Sequence, residues 1–131
     1  MRDLPNGAEL LAVAQNVLRE QVLQTASLEN KHNVLMIINA MSIAARQIKH
    51  GDEPERCELH AVASLLGTKC ESTGDNASLR SALLDANREL CRQIRAGCAG
   101  TDLANRRALF DHLRGVARQR VLESNPKYLN A

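Results

Sequence analysis

The stretch VLMIINAMSIAARQI at residues 34–48 decides the fold class, because it is too long for one strand and apolar around most of a helix. Its apolar residues recur every three or four positions, which is the spacing of one helical face. We therefore predict a helix over about 28–50 that ends at Gly51. Because its apolar surface extends around most of the circumference, we expect a central helix that is buried on several sides. The expected buried stripe is Val34, Ile37, Ile38, Met41, Ala45 and Ile48.

The rest of the chain shows the same helical spacing. Four further helices are predicted, over about residues 7–24, 53–66, 77–96 and 101–124. Asn6 and Glu9 form a capping-box start for the first, and Asp52 is placed to cap the third. Pro126 follows the last helix and stops it. The polar segment TKCESTGDN at 68–76 predicts the main flexible loop.

Each predicted helix has an apolar face that we expect to lie in the core. For the first helix this face is Leu11, Ala14, Leu18 and Val22. For the fourth it is Leu79, Leu83, Leu84, Leu90, Cys91, Ile94 and Cys98. For the fifth it is Leu103, Leu109, Phe110, Leu113, Val116, Ala117 and Val121.

The fold class follows from these patterns and from the composition. Alternation of apolar and polar residues never persists over the length of a half-buried strand. Aromatic residues make up only 2% of the 131 residues, so the core must consist of small and branched aliphatic side chains. We predict an all-α protein, a single domain over 1–131 that forms an antiparallel bundle of four long helices and one short helix.

Charge and composition argue against several classes of function. The formal net charge of +2 is too small to imply a polyanionic partner such as nucleic acid, and no series of aromatic residues interleaves with the arginines for base stacking. No apolar run approaches the roughly 20 residues that span a membrane. The first residues carry no export signal, so we expect a cytoplasmic protein whose four cysteines are free thiols.

Motifs for catalysis or metal binding are missing from the sequence. It contains no phosphate-binding glycine loop, nucleophile elbow, zinc-protease motif or kinase signature. Cys57 and His60 are one helical turn apart, but no second pair with zinc-ligand spacing follows them. We expect no metal and no cofactor, and the sequence names no nucleophile or base, so whether the chain is an enzyme stays open.

Four polar residues are candidates for a small-ligand site. His32, Asn39 and Arg46 lie at i, i+7 and i+14, so they share one narrow seam of the central helix. The seam is either the solvated stripe of that helix or a polar groove for an anionic or amide-bearing ligand, with Arg46 as a bidentate donor. Asn87 projects from the apolar face of the fourth helix, either as a structural amide that fixes register or as a ligand contact.

A second set of residues is a candidate for partner binding. Arg107, Arg114 and Arg118 form an outward stripe interrupted by Asp111, which is either a solvated face or a patch for an acidic partner. Tyr128 follows the Asn-Pro break at the end of the last helix. We expect its ring to fold back as a lid over the helices, and a partner contact is the alternative.

Three motifs together carry a family resemblance: LPNGAELLAVAQNVL at 4–18, ANRELCRQIRAG at 86–97 and SNPKYL at 124–129. The chain resembles a family of short, uncharacterised bacterial helical proteins. Its members are encoded beside, or fused to, aminoglycoside-phosphotransferase-like kinases, often near acyl-CoA dehydrogenase genes. The resemblance implies matching positions at Asn87 and Tyr128 but supplies no catalytic or ligand residues.

Two functions follow as expectations. The first is a non-enzymatic accessory protein that binds a kinase-like phosphotransferase or an acyl-CoA-metabolising enzyme such as an acyl-CoA dehydrogenase, as the resemblance implies. The second is a small-ligand-binding protein or enzyme with a polar site between helices. The sequence leaves open whether the chain forms a homo-oligomer.

Overall fold

A computed structural model of the chain describes residues 4–69, 74–97 and 103–130, and these ranges hold helices and no strand. The all-α prediction is therefore confirmed. Helix α1 comprises Gly7–Val17, a π-helical turn Leu18–Val22 and a last turn Leu23–Thr25. It is followed by α2 (Leu28–His50), α3 (Glu53–Leu66), α4 (Asn76–Arg95), α5 (Leu103–Ser124) and a 3₁₀ helix (Pro126–Asn130).

The chain divides into two compact units, Met1–Gly51 and Asp52–Ala131. In the first unit α1 packs against α2, and in the second α3 packs against both α4 and α5. The joining of all five helices in one antiparallel bundle stays a prediction. The predicted flexible loop at 68–76 also stays a prediction, and its residues 70–73 lie outside the described residues.

Helix starts follow local capping chemistry. The Asn6 side chain accepts a hydrogen bond from the Glu9 backbone amide at 3.1 Å, and the Glu9 carboxylate accepts one from the Asn6 backbone amide at 2.7 Å. These two bonds confirm the capping box. Asp75 caps α4 by accepting from the Ser78 amide at 2.7 Å. The prediction for Asp52 is wrong in one respect, because its side chain makes no capping hydrogen bond.

The π-helical turn changes which side of α1 packs inward. The Leu23 amide donates to the Leu18 carbonyl, five residues earlier, so one extra residue is inserted into the helical repeat. Leu23 is consequently half-buried, whereas Val22 is 39% exposed. The prediction that Val22 continues the buried face of Leu11 and Leu18 is therefore wrong, because it assumed an uninterrupted spacing of 3.6 residues.

The core of the first unit is small. Among its described residues Val34 and Ile38 are buried, and both lie on the side of α2 that packs against α1. The prediction of a central helix buried on several sides is wrong, because α1 is the one helix that packs on α2 within this unit. The stripe members Ile37 and Ile48 are consequently about half exposed, at 50% and 54%.

The second unit has a tighter core, in which one buried side chain from each of its three α-helices joins a single cluster. Val62 of α3 is fully buried and forms a cluster with Leu90 of α4 and Leu109 of α5. Leu79 at the start of α4 is also buried, with 1% exposure. Several residues expected in this core are instead exposed, because the packing of α3 with α4 and α5 does not cover their side of the helix: Leu84, Cys91, Ile94, Phe110, Leu113 and Ala117.

In the three described ranges, none of the helices has both the length and the apolar character required to cross a membrane. The cytoplasmic location stays a prediction.

Candidate functional site

The predicted ligand seam of α2 is a long stripe in the structure. His32 and Asn39 are exposed, and Arg46 is half-buried. Seven residues of α-helix rise about 10 Å, so the three side chains start at three well-separated levels along the helix. This geometry does not bring the three groups to one point, and it matches the interpretation of a solvated stripe. The ligand groove stays a prediction.

Ser42, beside this seam, links the two helices of the first unit. Its hydroxyl accepts from the Gln15 side-chain amide at 3.0 Å and donates to the Ile38 carbonyl at 2.9 Å. The half-buried hydroxyl and amide therefore satisfy each other. The sequence pattern could not reveal this bond, because nothing in it pairs Gln15 of α1 with Ser42 of α2.

Asn87 has a specific partner in the second unit. Its side-chain amide donates to the Glu58 carboxylate of α3 at 3.1 Å, and both side chains are half-buried. The bond ties α4 to α3 beside the cluster around Val62 and so supplies the structural partner that a half-buried amide needs. Whether Asn87 also contacts a ligand stays a prediction.

Further ion pairs follow on α3 and α4. Arg80 donates to Glu55 at 3.4 Å. Along α4, Arg92 donates to Glu89 at 2.6 Å, and Gln93 donates to the same carboxylate at 3.1 Å. These two donors, Arg92 first, lower the pKa of Glu89 to about 2. The carboxylate of Glu89 is therefore held as an anion and is unsuited to act as a general base near neutral pH.

The predicted arginine stripe lies exposed on α5. Arg114 donates to Asp111 at 3.3 Å, and Arg107 approaches the other oxygen of the same carboxylate at 4.0 Å. One carboxylate thus serves two arginines. Arg118 has no ion pair with any residue that the structure describes. The stripe therefore keeps a net positive charge that is open to solvent.

Apolar side chains run alongside these arginines. Phe110 and Leu113 are 52% and 45% exposed, and Ala117 continues their row one turn later. Arg106 lies over the Phe110 ring at 5.8 Å from its centroid. At 100° per residue, Arg106 falls in line with this row, and Arg120 falls on the edge opposite Arg107, Arg114 and Arg118. We call the whole surface the α5 outer face: Phe110, Leu113 and Ala117, together with Arg106, Arg107, Arg114, Arg118 and Arg120.

Tyr128 does not act as the expected lid. It lies in the terminal 3₁₀ helix, where its amide donates to the Asn125 carbonyl at 3.1 Å, and its side chain is 73% exposed. A ring so exposed covers little apolar surface, so the lid prediction is wrong. The partner contact is the interpretation that stays open for Tyr128.

The cysteine and histidine residues give no metal centre in the described part of the chain. There, no three His, Cys, Asp or Glu side chains come close enough to hold one ion. The Cys57 thiol donates a hydrogen bond to the Glu53 carboxylate, and this bond raises the pKa of Cys57. The His60 ring contacts the Arg56 carbonyl at 2.8 Å. Cys91 is exposed, so its predicted core role is wrong, and Cys70 and Cys98 lie outside the described residues.

Comparison with known protein families gives a match over most of the chain. Residues 24–128 match the family of domains of unknown function DUF6285. Two of the three motifs described above, at 86–97 and 124–129, fall within or at the end of the matched range, and the motif at 4–18 falls before it. Neither a curated protein nor a solved structure matches the chain.

Proposed function

We propose that this protein, which belongs to the DUF6285 family of domains of unknown function, is a non-enzymatic binding protein that docks an acidic protein partner on its α5 outer face. The observation that carries the proposal is the exposed row of Phe110 and Leu113 between arginines. Aromatic residues and arginine are the types most enriched at protein interfaces.

The charges of α5 specify the chemistry of the partner. Within 103–124 the sequence has five arginines against Asp111 and Glu123, and Asp111 already serves two of the arginines. An apolar row flanked by unbalanced arginines suits a helix or loop with apolar anchors and Asp or Glu beside them. Carboxylates of the partner would bind the guanidinium groups in a bidentate manner. Tyr128, which is 73% exposed, is available as a further aromatic contact.

The family resemblance suggests which partners to try first. The resemblance implies that genes for aminoglycoside-phosphotransferase-like kinases and acyl-CoA dehydrogenases lie beside those of such proteins, so an accessory role beside one of these enzymes is part of the proposal. The functional state of the partner enzyme, its folding or its substrate supply would then depend on the complex. The proposal requires no reaction by this chain.

The test is size-exclusion chromatography with light scattering on the protein mixed with each neighbouring enzyme. We expect elution at the summed mass with one of them. Reversing Arg107, Arg114 and Arg118 to Glu should weaken the complex by about a hundredfold, if each interfacial charge is worth about 1 kcal/mol. Phe110→Ala should weaken it further by at least about tenfold.

A matched control separates the face from the net charge. The variant with Lys31, Lys49 and Lys69 reversed to Glu has the same change in net charge at three exposed sites elsewhere. It should keep most of the affinity. Equal losses in both triple variants would show that only overall charge matters, and separate elution of unmodified proteins would refute these partners.

A further inference from the structure

The first unit has an apolar face that its own core does not use. On α1, Leu10, Val13 and Val17 lie at i, i+3 and i+7, and they are between 42% and 59% exposed. On α2, Ile37 and Ile48 are half exposed, and Met41 and Ala44 lie between them at i+4 and i+7 from Ile37. We call these seven residues the hairpin face.

Two contacts place both rows on the same side of the α1–α2 hairpin. The hydrogen bond between Gln15 and Ser42 marks one side of the helix pair. Ile48 and Gly7 mark the other side. The Ile48 side chain lies against Gly7, because a Cβ atom added to this glycine would be 3.7 Å from the Ile48 Cδ1 atom. At 100° per residue, Leu10 and Val17 lie on the Gly7 side of α1, and Ile37 and Ala44 lie on the Ile48 side of α2. The two rows therefore form one continuous surface.

We propose that the hairpin face binds a second copy of this chain, so that two hairpins pack into a four-helix bundle with twofold symmetry. The small core is the first reason. Among its described residues this unit of 51 positions buries Val34 and Ile38. Helical units of this size usually need a further source of stability, and oligomerisation is one of the common sources.

Charge and area select a second copy as the occupant. None of the seven residues of the hairpin face is charged. A face without charge can meet its own copy without electrostatic repulsion. Its exposed aliphatic side chains offer on the order of 400 Å² of apolar surface, close to the roughly 450–520 Å² of apolar area per partner in a standard interface.

The test is the mass of the full-length chain by light scattering and by sedimentation over a wide range of concentration. We expect a concentration-dependent dimer. Ile37→Glu should raise the dimer dissociation constant by more than about tenfold, because the new carboxylate would be buried without a partner. Leu35→Glu is the matched control, because Leu35 is 52% exposed on the same helix but lies on the Ser42 side.

Each outcome decides the proposal. A dimer that Ile37→Glu dissociates and Leu35→Glu leaves intact supports it. A wild-type chain that stays monomeric at every concentration overturns it without reference to any variant. A dimer that survives Ile37→Glu, or that both variants dissociate equally, also overturns it, because the contact then lies elsewhere. Circular dichroism of each variant is the check that its helices are retained. The α5 outer face is not involved, so this result is independent of the proposed function.

Discussion

The hydrogen bond between Asn87 and Glu58 allows a direct test of whether this asparagine is structural. The amide donates to the carboxylate at 3.1 Å, and both side chains are half-buried. A hydrogen bond to a charged group contributes about 1.5–3 kcal/mol when buried, and partial exposure lets water replace part of it. We therefore expect Asn87→Ala to destabilise the protein by about 1–2 kcal/mol, which lowers its melting temperature by roughly 3–6 °C.

A double-mutant cycle isolates this contact. Asn87→Ala, Glu58→Ala and the double variant are unfolded in urea and followed by far-ultraviolet circular dichroism, since the chain has no tryptophan for fluorescence. We expect a coupling free energy of about 1 kcal/mol between the two positions. Asn105→Ala is the control, because Asn105 is exposed on α5 and forms no side-chain hydrogen bond with the described residues.

The structural interpretation of Asn87 would be refuted by either of two results. One is an unchanged unfolding midpoint for Asn87→Ala. The other is full additivity of the two substitutions, which would mean that the amide and the carboxylate do not interact in solution. Either result would return Asn87 to the list of candidate ligand contacts.

Three further predictions concern the core, a helix cap and a thiol. Val62→Ala should destabilise by about 2–3 kcal/mol in urea unfolding, because it removes two fully buried methyl groups, whereas exposed Leu84→Ala should cost less than about 1 kcal/mol. Asp75→Ala should lower the melting temperature at neutral pH. The Ser78 hydroxyl and amide lower the pKa of Asp75, so the cap's stabilisation is present above about pH 4 and is lost as the pH falls through the folded-state pKa. The melting temperatures of the wild type and of Asp75→Ala should therefore converge as the pH is lowered. Cys91 should react with a thiol reagent in the native protein as fast as in urea, and strong protection would contradict its exposure.

Local chemistry made the helices predictable from the sequence. The predicted bounds 28–50 and 53–66 agree with α2 and α3, because Ser, Gly and Pro mark these ends. Capping by Asn6 was predictable because its partner Glu9 is three residues away. Each of these features depends on neighbours within about one helical turn, and such information is complete in the sequence.

Features that depend on tertiary contacts were not predictable in the same way. Apolar spacing identifies which stripe of a helix is apolar, but it does not reveal whether another element covers that stripe. Phe110 and Leu113 fit the expected core face of α5 and are nevertheless half exposed. Likewise, no local pattern connects Asn87 to Glu58, which lies 29 residues earlier. The sequence does not predict the π-helical turn at 18–22, because the inserted residue produces no distinctive pattern of residue types.

The two exposed apolar surfaces differ in charge, and this difference predicts different responses to salt. The α5 outer face includes five arginines, so its binding to an acidic partner should weaken as salt screens the charges. The hairpin face has no charged residue, so a dimer formed through it should hold or tighten slightly in high salt. Measuring both equilibria in low and high salt therefore assigns each to its surface. A dimer that dissociates in high salt would not be held together by the hairpin face, because nothing on that face responds to screening.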